Sequence, residues 1–315
     1  MTKRENLIRV LARDADMSDC RQLLREGSRS FYAASLLLPA DLGEPVTALY
    51  AFCRVADDAV DLAEDPQAGL QEMRDRLNRI YAGNPTASPV DRAFAEVVSH
   101  HEIPYTLPEA LLEGFEWDVR GRRYQTLSGT YAYSARVAGT VGVMMALLMG
   151  VRDKEVLSRA CDLGVAMQLT NIARDVGEDA RNGRIYLPLD RLRYHGVDVE
   201  AWIAEPTFNA GIRRILFELL DAADSLYQRA EWGICQLPAR VRPAMFAARS
   251  IYAEIGREIE RRHYDSVSQR AVVSGRRKLR LLGRSLRKAV VYRQKDYAPT
   301  LDETRFLVDA VTQNV

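Results

Sequence analysis

The sequence predicts an all-α fold. Apolar residues recur at three- and four-residue steps through most of its 315 positions, and no stretch alternates with the two-residue period of a strand. Both of its acidic cassettes also fall inside helical patterns. Pro45 stands near the start of the first clear pattern, in a first-turn position, and that helix is expected to run through Asp57, Asp58 and Asp61 to about Glu64. The spacing predicts further helices over 66–83, 89–102, 108–123, 130–150 and 153–179. Asn182-Gly183 and then Pro188 interrupt the pattern, and helices resume over 208–236, 240–265 and 275–293 before an extended or frayed tail. No linker divides the chain, so residues 1–315 are expected to form one domain, with roughly the first 15 and last 20 residues loosely held.

Composition narrows the function classes. A net charge of +1 gives no whole-molecule attraction to nucleic acid, so an anionic partner must be recognised locally. Cys20, Cys53, Cys161 and Cys235 form no CxxC pair and read as thiols of a reducing compartment. Near the N-terminus Leu7, Ile8, Val10 and Leu11 are interrupted by Arg9 and Arg13, unlike a secretory signal, and a cytoplasmic location is expected. The longest uncharged apolar run, Val137 to Val151, is shorter than the about 20 residues of a membrane span and is expected to be a core helix. Its Gly139 and Gly142 indicate either close packing or space kept open. HExxH, GxxxxGK[ST], GxSxG and dinucleotide motifs are absent, and His100, His101, His195 and His263 show no ligand spacing.

The strongest signal is the duplicated acidic cassette. Asp57, Asp58 and Asp61 lie in one helix, Asp175 and Asp179 in another, and each set spans a four-residue step that stacks its members on one face. Like charges so placed repel, and hard oxygen donors of this kind suit Mg²⁺ or Mn²⁺. A single DxxxD is common on solvated helices. Here Tyr50 and Arg54 extend the first stripe at helical steps, and Gln168 and Asn171 extend the second. Two such stripes facing each other would cage a metal-bound diphosphate.

At these residues the sequence resembles the squalene and phytoene synthases, which join two isoprenoid diphosphates head to head. The resemblance runs from Ser28-Arg29-Ser30-Phe31 to the basic segment after Tyr264. Its signatures are Tyr50-Ala51-Phe52-Cys53-Arg54 leading into Asp57-Asp58-Ala59-Val60-Asp61, then Val137-Ala138-Gly139-Thr140-Val141-Gly142, then Gln168 through Asp179. Overall similarity, including Arg181 to Pro188, is greatest to the bacterial phytoene-forming branch of carotenoid biosynthesis. The resemblance implies a helical bundle of the isoprenoid synthase type, with a central cavity and the acidic helices at its mouth. It implies condensation of two geranylgeranyl diphosphates through a cyclopropyl diphosphate to phytoene, with release of diphosphate.

The same resemblance assigns roles. Asp57, Asp58, Asp61, Asn171, Asp175 and Asp179 would hold Mg²⁺ or Mn²⁺. Arg54, Arg174 and Arg184, joined by Arg181, would hold diphosphate, with Ser28 and Ser30 donating hydroxyls beside Phe31. Tyr50, Tyr133, Tyr186 and Tyr252 would orient the substrate or face its cations, and Gln168 would support the second stripe. Position 135, where a tyrosine-rich form of the central motif has a second tyrosine, is alanine. The enzyme alternative is a dehydrosqualene or presqualene diphosphate synthase using farnesyl diphosphate. A non-catalytic assembly protein of the family would be expected to lose its metal carboxylates, and this chain keeps both sets.

Between Arg270 and Lys295 there are ten Lys or Arg and no Asp or Glu. Leu279, Leu282, Leu286 and Val290 keep helical spacing there, so a basic amphipathic helix is expected. It would either lie on an anionic membrane surface, where an apolar product could pass to a downstream desaturase, or pack on the core by its leucines. Arg270 and Lys278 are alternative diphosphate contacts. No aromatic-interleaved patch accompanies the charge, so nucleic acid is not expected as a partner.

Overall fold

The computed structural model describes residues 3–290 and 295–313, with side chains from Arg13 onward except that of Arg29. Among the described residues there is no strand. The expectation that the first 15 residues are loose concerns mainly side chains outside this description. α1 (Lys3–Gly27) and the short α2 (Arg29–Ser35) precede α3 (Ala40–Asp61), which carries the first cassette. Leu42, Val46, Leu49, Phe52, Ala56 and Val60 recur at helical steps and bury one side of α3 against α1, α4 (Pro66–Tyr81), α5 (Pro89–His100) and α6 (Thr106–Val119). Pro45 lies in the second turn of α3 rather than its first, because the helix already begins after Pro39. The helix also stops at Asp61, earlier than expected.

The run expected as one helix over 130–150 is interrupted. α7 (Leu127–Ser134) passes through a π-helical segment (Ala135–Gly139) into α8 (Thr140–Leu148), which shifts the register of the side chains on either side. Leu127–Leu148 is long and apolar enough to cross a membrane. It is instead packed between α6 and α9 (Lys154–Arg181). α9 carries the second cassette and is enclosed on nearly every side between Cys161 and Ala173, which is why its hydrophobic pattern lacks a clean polar face. The Asp153 carboxylate opens this helix by accepting from the amides of Glu155 and Val156, each at 3.0 Å. Gly183 closes it at φ +74°, a left-handed turn that glycine adopts without strain.

Glycine fixes how closely the central helices approach. A Cβ on Gly142 would stand 2.4 Å from the Ala160 carbonyl oxygen, and one on Gly164 would stand 2.3 Å from that of Ala138. Close packing is therefore the role of Gly142.

Beyond α9, the short α10 (Leu189–Tyr194) and α11 (Val199–Ala204) occupy a stretch left unassigned by periodicity. α12 (Ala210–Gln236) and α13 (Arg242–Arg261) then pack along α9, and α14 (Gly275–Lys288) packs on α13. Arg293, a member of the basic run, lies outside the described residues. The tail is docked rather than frayed: Leu307, Val308 and Val311 of α15 (Arg305–Thr312) are buried. Before it, the guanidinium of buried Arg159 donates to the Ala298 carbonyl at 2.9 Å, and Arg229 donates to that of Pro299 at 2.7 Å.

Gly142→Ala or Gly164→Ala is expected to lower stability by about 1–3 kcal/mol, since a backbone carbonyl cannot move aside for the new methyl. Gly283→Ala on α14, where a Cβ meets nothing within 4 Å, is expected to raise stability by about 0.5–1 kcal/mol. Denaturant unfolding of the three variants reads both signs.

Candidate active site

α3 and α9 each turn part of a polar stripe to the same cavity, of about 690 Å³, which Asp57 and Asp175 line and Asp58, Asp61, Asp179 and Arg184 do not. Tyr50, Arg54 and Asp57 line it from α3, and Gln168, Asn171, Arg174 and Asp175 line it from α9. Apolar wall is supplied by Leu49, Phe115, Val137, Val141, Met145 and Met167, among others. Ser28, Ser30, Phe31 and Tyr252 complete it from α2 and α13. Ser28 Oγ also accepts from the Phe31 amide at 3.2 Å, so it caps α2 as well as lining the cavity. Phe31 sits between two tyrosines, its ring centroid 6.1 Å from that of Tyr50 and 5.4 Å from that of Tyr252.

Each guanidinium at the mouth rests on a carboxylate. Arg54 donates to Asp58 Oδ2 and to Asp57 Oδ2, both at 3.1 Å. Arg174 donates to Asp175 Oδ1 at 2.8 Å, and Arg270 reaches the same oxygen at 2.7 Å. Arg184 crosses from the end of α9 to donate to Asp61 Oδ1 at 2.8 Å, tying the two cassettes together. Arg181 faces elsewhere: it donates to the Val267 carbonyl at 3.2 Å, where the chain passes so close to Gly177 that a Cβ there would lie 2.4 Å from that oxygen. Of the two alternative cations from the basic run, Arg270 lines the cavity and Lys278 does not.

The family model described as squalene/phytoene synthase matches residues 24–277. The chain belongs to the squalene/phytoene synthase family. It is 52% identical to a phytoene synthase of Cereibacter sphaeroides, over 95% of this chain and 88% of that protein. It is 51% identical to one of Rhodobacter capsulatus, over 94% of this chain and 90% of the other. Among solved structures, a dehydrosqualene synthase in complex with ligand superposes with a TM-score of 0.79 at 31% identity, covering 87% of this chain and 96% of that one.

Within this squalene/phytoene synthase fold, the acidic groups titrate unusually. The Asp57 carboxyl is pushed up to about 6, by burial first and the Asp61 charge second, against the pull of Arg54. Asp179 rises to about 7, by burial and then by Asp175, with Arg184 opposing. Carboxyls held this high are buried beside like charges. Gln168 Oε1 accepts the Asn171 amide N–H at 3.3 Å, which leaves the buried Asn171 Oδ1 without a hydrogen-bond partner. No three His, Cys, Asp or Glu side chains among the described residues converge tightly enough to hold an ion alone. The raised carboxyls and the unpaired Asn171 Oδ1 fit a hard divalent ion that keeps waters and binds through few carboxylates plus substrate phosphates. Cys53 is no competitor as a ligand, its thiol being pushed up to about 12 mainly by burial.

Asp118, at the end of α6, is a site residue that the sequence did not disclose. Its carboxylate accepts from Tyr133 at 2.7 Å and from Tyr186 at 2.8 Å. Those two rings stack at 4.9 Å between centroids, so both phenols are spent on Asp118 and Tyr186 does not line the cavity. The Asp118 charge adds, as a minor contribution after burial and same-helix neighbours, to the upward push on both Asp57 and Asp179. Asp118 is one of four acids on α6 and falls off the helical-step series Glu109, Glu113 and Glu116, so no repeat or partner spacing lifted it above a solvated position.

Burial raises the Asp118 carboxyl from an ordinary 3.8 to about 6, with both tyrosine hydrogen bonds pulling the other way. The native state therefore holds this proton more tightly than the unfolded chain does. Its contribution to stability is greatest below the unfolded value and is lost as pH rises through the folded one. Asp118→Asn is expected to flatten the fall in melting temperature between pH 3.8 and about 6, read by thermal unfolding without divalent metal.

Proposed function

We propose that this enzyme is a phytoene synthase, condensing two geranylgeranyl diphosphates head to head through a cyclopropyl diphosphate. The observation that carries the reading is the pair of carboxylate-bearing stripes on α3 and α9, facing across one apolar cavity. The relatives at 52% and 51% identity, both named phytoene synthase, support it over other members of the family.

Asp57, Asp61, Asn171, Asp175 and Asp179, with Asp58 behind them, would hold divalent ions. When bound, Mg²⁺ or Mn²⁺ draws negative charge from the diphosphate and makes it a better leaving group. Arg54, Arg174 and Arg184 take up the diphosphate oxygens as charge grows on them. Ser28 and Ser30 offer hydroxyls beside the same group. The faces of Phe31, Tyr50 and Tyr252 meet positive charge developing on the allylic chain. Tyr50, with its phenol pushed up to about 12 mainly by burial, stays protonated and acts as a donor. Val137, Val141, Met145 and Met167 exclude water, which would otherwise capture the reacting carbon. Asp118 fixes Tyr133 in the wall, so that its ring rather than its hydroxyl faces the substrate.

A second reading rests on the fold match to a dehydrosqualene synthase at 31% identity: the same site accepting farnesyl diphosphate. Supplying each diphosphate with Mg²⁺ and identifying the hydrocarbon separates the two, and phytoene from the geranylgeranyl substrate is expected. Asp57→Asn and Asp175→Asn should each reduce turnover by about 10²–10³ while leaving the circular dichroism spectrum unchanged. Full activity in both variants would refute the assigned role of the stripes.

A further inference from the structure

The π-helical segment that supplies part of the cavity wall is held from behind by the C-terminal tail. Val137 and Ala138 of the segment line the cavity, whereas Arg136 and Gly139 meet α15. The Arg136 guanidinium lies 4.1 Å from the Trp117 ring centroid on α6 and 5.0 Å from that of Phe306 on α15, and its Nε is 2.8 Å from Glu113 Oε2. A Cβ on Gly139 would stand 3.3 Å from Leu307 Cδ1, so the buried leucine rests directly on the widened turn. Both ends of the tail are fixed. Ser158 Oγ lies 2.7 Å from Thr300 Oγ1, and Lys154 donates to Asp309 at 3.3 Å. All of these tail residues lie past position 277, where the match to the family model ends.

Two other supports hold the same segment. A Cβ on Gly164 of α9 would meet the Ala138 carbonyl oxygen at 2.3 Å, and one on Gly114 of α6 would meet Val137 Cγ1 at 2.6 Å. A close-packed interior passes a displacement on rather than absorbing it, so the seat of Leu307 is felt at Val137 and Ala138. The depth of this contact decides what it can sense. Gly164 lies eleven residues before Asp175 on α9, about 16 Å along the axis at about 1.5 Å per residue. An extended isoprenoid advances about 5 Å per five-carbon unit, which has four backbone bonds. A three-unit chain headed by a diphosphate at Asp175 therefore ends as it reaches the π-helical segment, whereas the fourth unit of a longer chain runs along it.

We propose that α15 is a chain-length selector for the site. Phe306 and Leu307 act as positioning residues, and through Arg136 and Gly139 they hold the π-helical segment against the last isoprenoid unit of the longer substrate. A slackened wall costs the four-unit chain its terminal contacts and leaves the three-unit chain as it was, so the preference between them falls. A tail that served folding alone would weaken both equally. The inference rests on the reading of the cavity as an isoprenoid diphosphate site proposed above, but not on which hydrocarbon is formed there.

The test measures the affinity of the full chain for unreactive geranylgeranyl and farnesyl thiolodiphosphates in the presence of Mg²⁺, by calorimetry. Leu307→Ala is expected to lower the ratio of the two affinities, longer over shorter, at least about fivefold. Leu307→Met, which conserves volume, is expected to keep the parent ratio. Val311→Ala, one turn along α15 and as deeply buried, should lower the melting temperature and leave the ratio unchanged. Phe306→Ala removes a partly exposed ring from Arg136, should shift the ratio in the same direction as Leu307→Ala, and decides the matter if that variant does not fold. An unchanged ratio in folded Leu307→Ala, or in Phe306→Ala in its place, would overturn the proposal, as would an equal fall in Val311→Ala or Leu307→Met. The hydrocarbon made by the parent chain is read separately. Failure to form phytoene would count against the proposed function, while a shifted ratio in the variants would still establish the role of α15.

Discussion

The carboxylates of α3 and of α9 crowd their own helix neighbours and Asp118 at a common mouth, and much of the surrounding structure can be understood as holding them there. Burial and mutual charge lift Asp57 and Asp179 toward neutrality, which is the free-energy signature of anions forced together. The restraint is mechanical on the α9 side. Gly142 and Gly164 let α8 and the π-helical segment press against α9 at backbone contact, so α9 has little freedom to tilt away. On the α3 side the restraint is electrostatic as well, since Arg184 spans from the end of α9 to Asp61.

Asp118 changes how that mouth is understood. Two facing stripes would leave Tyr133 and Tyr186 free to act, whereas a third carboxylate at the end of α6 takes both tyrosine hydroxyls. The π-helical segment directly after Ser134 matters here, because it alters the register between Tyr133 and the apolar residues Val137 and Val141 that share the cavity wall. An uninterrupted α-helix would not present both groups at their observed angles.

The cassettes were legible in the sequence because four-residue spacing on a helix fixes relative direction, and because a second copy made coincidence a poor explanation. The long helices were legible for the same geometric reason. What escaped was whatever depends on the identity of a neighbour across space. Asp118 has no local pattern, and the partners of Tyr186 and Arg181 are decided by chain segments distant in sequence. Pro45 was placed a turn too early because the helix start is set by Pro39 and not by the proline inside it. The docked tail escaped because its anchors, Arg159 and Arg229, lie on α9 and α12, and arginine reads from sequence as a solvated residue.

The pairing of the arginines bears on how a substrate enters. Arg54, Arg174, Arg270 and Arg184 all contact carboxylates of the cassettes, so none of these four guanidinia stands ready and uncompensated for a diphosphate. A diphosphate arriving alone would have to pull these cations from their acids and leave those acids bare, a costly exchange in a partly buried site. Divalent cations held by the carboxylates would balance the exchange and leave Arg54, Arg174, Arg184 and Arg270 to turn to phosphate. Asn171 Oδ1 is left without a hydrogen-bond partner, while the arginines that line the mouth are held by charged acceptors. On the proposed function, the charge inventory of the mouth would favour a metal-bound diphosphate over a free one.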